Sequence, residues 1–325
     1  MHAQRLGRTG EVAMILVTTA GKVGSEASRL LAARGDEVRI LARHPETAAA
    51  LAAVGVDVVR GDLETPATID AAMNGVSSVV LVSPAIPAQE RNVIDSAVRA
   101  GVAHVVKITS EASADSPIAR RRGQAAIEAR LIASGLGYTL LRNNAYMQNF
   151  LVLAPAIAAT GAFASCAGDG RVGMVDTRDV GAVAAEIAAS PALHAGKTYW
   201  PTGPETLSYA DAAATLSTVL GRPITFRPQT IDEERQAMIS AGLPESVAED
   251  NARALALFAD GDADYLTGDV AALLGRPART FEQFATDYAE AFSPSPAQVR
   301  LAMAADRQRR VRQRHNRFRR FERSR

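Results

Sequence analysis

The sequence is poor in the residues that carry most metal, redox and acid–base chemistry. Cys166 is the only cysteine among 325 residues, which excludes an intrachain disulfide and any cysteine cluster for a metal. Its neighbours in FASCAGDG offer no adjacent base or cation, so an inert, partly buried thiol is expected. The five histidines (His2, His44, His104, His194, His315) are scattered without ligand spacing, and no metal is expected. Lysine is scarcer still. Lys22, Lys107 and Lys197 are the only three, and none follows a tyrosine by four positions. This excludes the Tyr-x-x-x-Lys dyad, in which a lysine lowers a phenol's pKa so that it can exchange a proton with a substrate oxygen. No run of about 18 apolar residues occurs, so no membrane span is expected. MHAQRLGRTGEVA lacks the apolar stretch and cleavage site of a secretory signal, and a cytoplasmic location is expected.

What is present is a regular alternation. The runs MILVT (14–18), EVRIL (37–41), VDVVR (56–60), SSVVLVS (77–83), HVVKITS (104–110) and YTLLR (138–142) are separated by Ala-rich helical stretches. Continuous apolar strands alternating with helices predict an α/β protein, a doubly wound parallel Rossmann sheet in the order 3-2-1-4-5-6. Ligands of such sheets bind beyond the carboxyl ends of the strands. After residue 150 the rhythm changes. A strand is expected near 197–200 and another at 224–228, with helices over 208–219, 231–242, 245–259, 267–274 and 280–291, a smaller and mainly helical C-terminal substrate lobe. The expected organisation is a disordered extension (1–13), a dinucleotide-binding Rossmann core (14–150), the remainder of the core with a substrate-capping lobe (151–292), and an Arg-rich disordered tail (293–325).

The first strand runs into TTAGKVG. In dinucleotide folds one glycine makes the turn, a second lets backbone approach the pyrophosphate, and a third lets the helix pack on the strand. Gly21 and Gly24 supply the last two roles, while Thr18 and Thr19 stand in place of the first. A threonine held at positive φ would cost about 1–3 kcal/mol, so another path is expected for this turn. A helix starting near Lys22 directs free N–H groups, those of Val23 among them, and its positive dipole end at an anion. The second strand ends in Arg43-His44. An acid here would bond the ribose 2′-hydroxyl of NAD, whereas an arginine suits a 2′-phosphate, so NADP(H) is the expected cofactor, with His44 and Lys22 as helpers.

The blocks ILVTTAGKVG, VRILARHPE, VDVVRGDL, HVVKITS, ASGLGYTLLRNNAYMQNF, VDTRDVGAVAAEI and GKTYWPTGPETLSYADAAATLSTVLGRPI resemble those of the NmrA-like group of atypical short-chain dehydrogenases. Within it they are most similar to the type-2 NAD(P)H:quinone oxidoreductase and azoreductase branch, from about residue 14 to 292. The resemblance implies that Gly21 and Gly24 hold the pyrophosphate, Arg43 the 2′-phosphate, and Asp62 with Leu63 the adenine. It places Val82 and Ser83 beside the adenosine ribose, Thr109 and Ser110 at the edge of the nicotinamide, and Asn143, Asn144 and Tyr146 on the nicotinamide and substrate side. Two departures stand out: the turn is one residue shorter than the group's GATG form, and Gln124 fills a helix position where relatives often carry His or Lys.

The missing dyad bears on the reaction. Hydride addition to a ketone leaves an alkoxide about as basic as hydroxide, whereas addition to a quinone leaves a phenolate-like anion, a gap of about 6 pKa units or about 8 kcal/mol. A quinone or azo compound can therefore be reduced without a strong protein acid. Ser110, Gln124 and Tyr146 are the candidate catalytic groups, with Tyr146 and Phe150 as an apolar wall against a small aromatic substrate. The alternative is a non-catalytic NADP(H)-binding redox sensor acting on a protein partner. Residues 300–325 carry eleven arginines against Asp306 and Glu322. Like-charged blocks of this kind are usually solvated, so nucleic-acid binding is not expected.

Overall fold

A computed structural model describes residues 13–84 and 86–294. Nearly all of the expected extension (1–13) and Arg-rich tail (293–325) lies outside the described residues. The core opens with β1 (Met14–Val17), α1 (Lys22–Ala33), β2 (Glu37–Ala42), α2 (Ala49–Ala52), β3 (Asp57–Arg60), α3 (Pro66–Ala72) and β4 (Val76–Leu81). It continues with α4 (Pro87–Ala100), β5 (His104–Thr109), α5 (Ala119–Ile132) and β6 (Gly137–Arg142). Then follow α6 (Phe150–Thr160), β7 (Ala162–Ser165), α7 (Thr177–Ala189), β8 (Lys197–Tyr199), α8 (Tyr209–Leu220), β9 (Thr225–Pro228), α9 (Ile231–Ser240), α10 (Glu245–Ala256), α11 (Asp269–Leu274) and α12 (Phe281–Asp287).

Seven strands form one sheet in the order β3-β2-β1-β4-β5-β6-β8. Every pairing in it is parallel. The expected order is observed, and β8 extends it beyond β6. Both faces are buried, as the continuous apolar strands require. On one face Val17, Ile40, Val80, Val106 and Leu141 pack with residues of α1 and α7. On the other, Leu16, Leu41, Val79, Leu81 and Val105 meet Ile69, Val93, Ile94, Ile127 and Leu131 of α3 to α5.

A third apolar cluster holds the lobe together. Phe150, Phe163, Tyr209 and Phe281 pack ring against ring with centroids 5.0–6.3 Å apart, and Phe284, Tyr288 and Phe292 extend the stack. Phe150 is almost completely buried there. It is a core residue of the lobe, and the expectation that it walls a substrate site is corrected. Three of the lobe's helices, α8, α9 and α12, begin at capping boxes: Ser208 with Asp211, Thr230 with Glu233, and Thr280 with Gln283.

Ion pairs tie the lobe to the core. Asp179 of α7, fully buried, accepts from Arg276, from the backbone N–H of Arg279 and from the Arg279 guanidinium. Asp250 of α10 caps α5, accepting from the N–H groups of Ala119 (2.6 Å) and Arg120 (3.2 Å). Among the described residues, no helix is long and apolar enough to cross a membrane, and no cluster of three or more His, Cys, Asp or Glu side chains has metal-binding geometry.

Candidate active site

The parallel register levels the carboxyl ends of the central strands. Val17 pairs with Val80, Leu81 with Lys107, and Thr109 with Arg142. The loops leaving β1, β4, β5 and β6 therefore meet at one edge, which presents Thr18 to Gly24, Val82 and Ser83, Thr109 and Ser110, and Asn143 to Tyr146.

At β1 the shortened turn avoids any left-handed residue at its glycines. Gly21 is the N-cap of α1 with φ −78° and ψ −176°, extended backbone, and it has no side chain to cap the helix. The amides of Lys22, Val23 and Gly24 thus open the helix without a side-chain acceptor, a seat for an anion. A Cβ on Gly24 would come within 2.0 Å of the Thr19 carbonyl oxygen, whereas one on Gly21 would meet only Thr19 Oγ1, at 3.9 Å. Gly24 is therefore needed by the protein's own packing. Gly21 is not, and its bare face lies open to an approaching group. Thr18 is almost fully buried, and its hydroxyl donates to the Val82 carbonyl (2.5 Å) while accepting from the Val82 N–H (2.9 Å). It clamps the β1 loop to the β4 loop, with its side chain turned away from the edge.

Arg43 and His44 are exposed at the end of β2, and the Arg43 guanidinium has no partner among the described residues. His44 lies 3.3 Å from Glu46. Lys22 is likewise exposed and unpaired. Arg60 ends the neighbouring strand opposite Ala42 and donates to the Arg43 carbonyl (3.3 Å), which brings a second guanidinium to the loop after β2. Asp62 accepts from the Glu64 N–H in a tight turn, and Leu63 is buried beside it.

Beneath the β4 loop, Ser83 donates to Glu90 at 2.5 Å, and Glu90 is in turn paired with Lys107, the two charges lying 2.8 Å apart with neither exposed. Burial drives the Lys107 ammonium down and Glu90 opposes the shift. An inaccessible, ion-paired lysine is a scaffold element, and Lys107 cannot reach a substrate at this edge. Thr109 donates to Gln124 Oε1 at 2.9 Å, and among the described residues Gln124 Nε2 has no hydrogen-bond partner.

Asn143 is buried with its amide nitrogen facing three oxygens, Thr109 O (3.0 Å), Leu141 O (3.1 Å) and the Tyr146 phenol (3.4 Å). Two of these are carbonyls and can only accept, so the amide orientation is fixed by chemistry. Asn143 Oδ1 then points away and is buried without a partner. Such an atom costs about 1–3 kcal/mol unless a ligand group satisfies it. The Tyr146 oxygen accepts from Asn143, so its own proton is free to donate. Burial pushes this phenol up to about 12, with Asn143 opposing, so it stays neutral. Asn144 faces the other way, donating to the Ala263 carbonyl (3.0 Å) and accepting from the Ala145 N–H, which locks the loop onto the lobe.

The edge thus joins an uncapped helix start, three cations at one end and neutral donors with an orphaned acceptor at the other. This is the polarity of a long ligand with anionic and amide-bearing ends. The model of the NmrA-like family matches residues 11–285. The chain belongs to the NmrA-like family. It is 37% identical over 286 residues to an NAD(P)H azoreductase of Xenophilus azovorans, covering 86% of this chain and 99% of that protein. A (4-alkanoyl-5-oxo-2,5-dihydrofuran-3-yl)methyl phosphate reductase of Streptomyces griseus is 39% identical over 288 residues, with 86% and 100% covered. Among solved structures, the NADPH-dependent quinone oxidoreductase QOR2 of Escherichia coli in complex with NADPH superposes with a TM-score of 0.75 at 29% identity, over 84% of this chain and 99% of that one.

Set in this NmrA-like frame, the edge brings together Gly21, Lys22, Val23, Gly24, Val82, Ser83, Thr109, Ser110, Gln124, Asn143 and Tyr146. Arg43, His44, Asp62 and Leu63 lie along its β2–β3 flank. Thr18 and Asn144 spend their side chains on internal bonds. Sequence reasoning passed over Arg60, although a charged residue closing the third strand was visible in VVRGDL. Two surface depressions of about 210 and 280 Å³ lie elsewhere, one beside Arg39 and Thr68 and the other beside Glu205 and Thr280. Both are small, and they hold none of the converging groups except Arg60.

Proposed function

We propose that this protein is an NAD(P)H-dependent oxidoreductase that transfers a hydride to a small aromatic acceptor such as a quinone or azo compound, with NADPH preferred. The observation that carries the reading is the pairing of an uncapped α1 start and unpaired cations with neutral donors at the same sheet edge, in a chain similar over its folded length to named reductases. The residues fit the coenzyme. The α1 amides and the bare face of Gly21 receive the pyrophosphate, Arg43 with Arg60 and Lys22 the 2′-phosphate, and Asn143 Oδ1 accepts from an amide-bearing ring.

When bound, the reduced nicotinamide supplies a hydride, and one further proton from solvent converts a quinone to its hydroquinone. The chain's own groups position and polarise. Ser110 and the Gln124 amide offer neutral hydrogen bonds to an acceptor oxygen. Tyr146, held protonated, donates a hydrogen bond and has no lysine to acidify it. For a phenolate-like product such bonds suffice, whereas an alkoxide would need a stronger acid. The expected substrates are therefore quinones and azo compounds rather than simple ketones.

Oxidation of NADPH followed by absorbance with a panel of quinones, an azo dye and an aliphatic ketone tests the reading. Turnover with the first two classes and none with the ketone is expected. Tight coenzyme binding with no turnover of any acceptor would contradict it and point to a binding-only role in sensing.

A further inference from the structure

Trp200 and Tyr265 form an aromatic corner at the acceptor end of the edge. Trp200 follows β8 and sits beside the end of β6, since Leu141 pairs with Tyr199. Its backbone is pinned on both sides: the N–H donates to Asp269 (2.6 Å) and the carbonyl accepts from Thr267 (2.5 Å). Its ring rests on the guanidinium of Arg142, 5.2 Å from the centroid. Arg142 is fixed in turn by a two-pronged pair with Glu128, a largely buried residue of α5. The Tyr265 ring stands nearly perpendicular to Trp200, at 85° with centroids 6.1 Å apart. Arg121 of α5, whose guanidinium grips Asp262 and Glu111, ties the segment carrying Tyr265 to the loop just after Ser110. Arg121, Gln124 and Glu128 lie at helical spacing on one face of α5, so the corner and the unpartnered Gln124 amide share that face.

Both rings are half-buried, and neither polar tip is used. Among the described residues, the Trp200 indole N–H and the Tyr265 O–H make no hydrogen bond to protein. Neither tip is among the buried unpartnered atoms of the described residues, so both open to solvent from a rigid aromatic pair and are available to a ligand that stacks there. Burial, together with the nearby Glu111 and Asp262 carboxylates, pushes the Tyr265 phenol up to about 12, so it remains a donor at neutral pH. Leu266, 48% exposed, adds apolar surface next to it.

We propose that Trp200 and Tyr265 are the acceptor-binding residues: a fused-ring quinone stacks on the indole face that Arg142 leaves open, while the Tyr265 O–H, on the ring set perpendicular to it, donates to a quinone carbonyl oxygen. This rests on the reductase reading above and narrows its acceptor class. It favours bicyclic quinones over single-ring ones, because only the former spans a corner of two rings.

Trp200 is the only tryptophan in the chain, so its emission reports the site directly. A 1,4-naphthoquinone titrated into the full-length protein without coenzyme is expected to quench that emission saturably, with single-ring benzoquinone requiring at least fivefold higher concentration. In steady state, Trp200→Ala is expected to raise the naphthoquinone KM tenfold or more, with the NADPH KM changed less than twofold. Trp200→Phe should recover much of the loss, and Tyr265→Phe should lower kcat/KM three- to tenfold. Quinone turnover with no saturable quenching, or an unchanged quinone KM in both Trp200→Ala and Tyr265→Phe, would overturn the proposal while leaving the reductase reading intact. Absence of turnover with every quinone would instead remove the reading on which the proposal rests.

Discussion

Gly21 and Gly24 stand three residues apart in one turn, yet an added methyl group has different consequences at each. At Gly24 it collides with backbone, 2.0 Å from the Thr19 oxygen. Gly24→Ala is expected to cost about 2–3 kcal/mol, read as a lower thermal midpoint. At Gly21 it meets nothing of the protein closer than 3.9 Å, and the backbone angle is an ordinary one. Gly21→Ala should keep stability within about 0.5 kcal/mol while weakening NADPH at least fivefold. Unchanged coenzyme affinity in that variant would contradict the anion seat. At Arg43 the loss is electrostatic. A charge-assisted bond of about 1.5–3 kcal/mol makes Arg43→Ser about 10- to 100-fold weaker for NADPH, with NADH unaffected, as steady-state KM values would show. At this scale the sequence exposed residue types but not directions. Thr18 was legible as a replacement for glycine, but its bond to Val82, 64 positions away, depends on sheet register and could not be read from local pattern. Nothing local distinguishes Asn143, whose carbonyl oxygen is left idle, from Asn144, whose amide is fully engaged.

Helix α5 illustrates what an element owes to distant chain. Its N-cap residue, Ile118, contributes no side-chain hydrogen bond, and Asp250 from α10 caps it instead. Asp250→Ala is expected to cost about 1–2 kcal/mol and to speed amide exchange at Ala119 and Arg120, measurable by hydrogen exchange. Unchanged exchange there would show that the lobe does not hold this helix end. The strands of the core and the lobe helices from Tyr209 onward were legible from periodicity. α6, β7 and α7, between 150 and 189, were not. α7 carries a helical stripe in Val180, Val183, Ala184 and Ile187, but its small residues and the buried Asp179 and Gly181 blur the pattern, and the segment before it has no regular period.

For the molecule as a whole, acid is expected to be destabilising through His104. Its Nε2 lies 2.9 Å from Thr139 Oγ1, which already donates to the His194 carbonyl, so Nε2 carries a proton and donates. Burial, with His194 nearby, lowers it to about 4. The unfolded chain takes up a proton near the ordinary value of 6.5 that the folded one refuses until about 4, so stability falls as pH drops through that window and levels off below it. Thermal midpoints from pH 7 to 4 should show this fall, and His104→Gln should flatten it. A profile identical in the variant would assign the effect to other groups. Six strands of the sheet and their order were legible because parallel sheets impose apolar strands at regular intervals, whereas β8, short and largely exposed, was read as part of the lobe and joins the sheet only through β6. The acceptor corner was not, because Trp200, Tyr265 and Arg142 are far apart in sequence and meet only through the sheet and lobe.

Calorimetric titration of the protein with NADPH and, separately, NADH tests the central claim most directly. The account predicts saturable one-to-one binding of both, with NADPH at least tenfold tighter. No detectable heat with either coenzyme would contradict it.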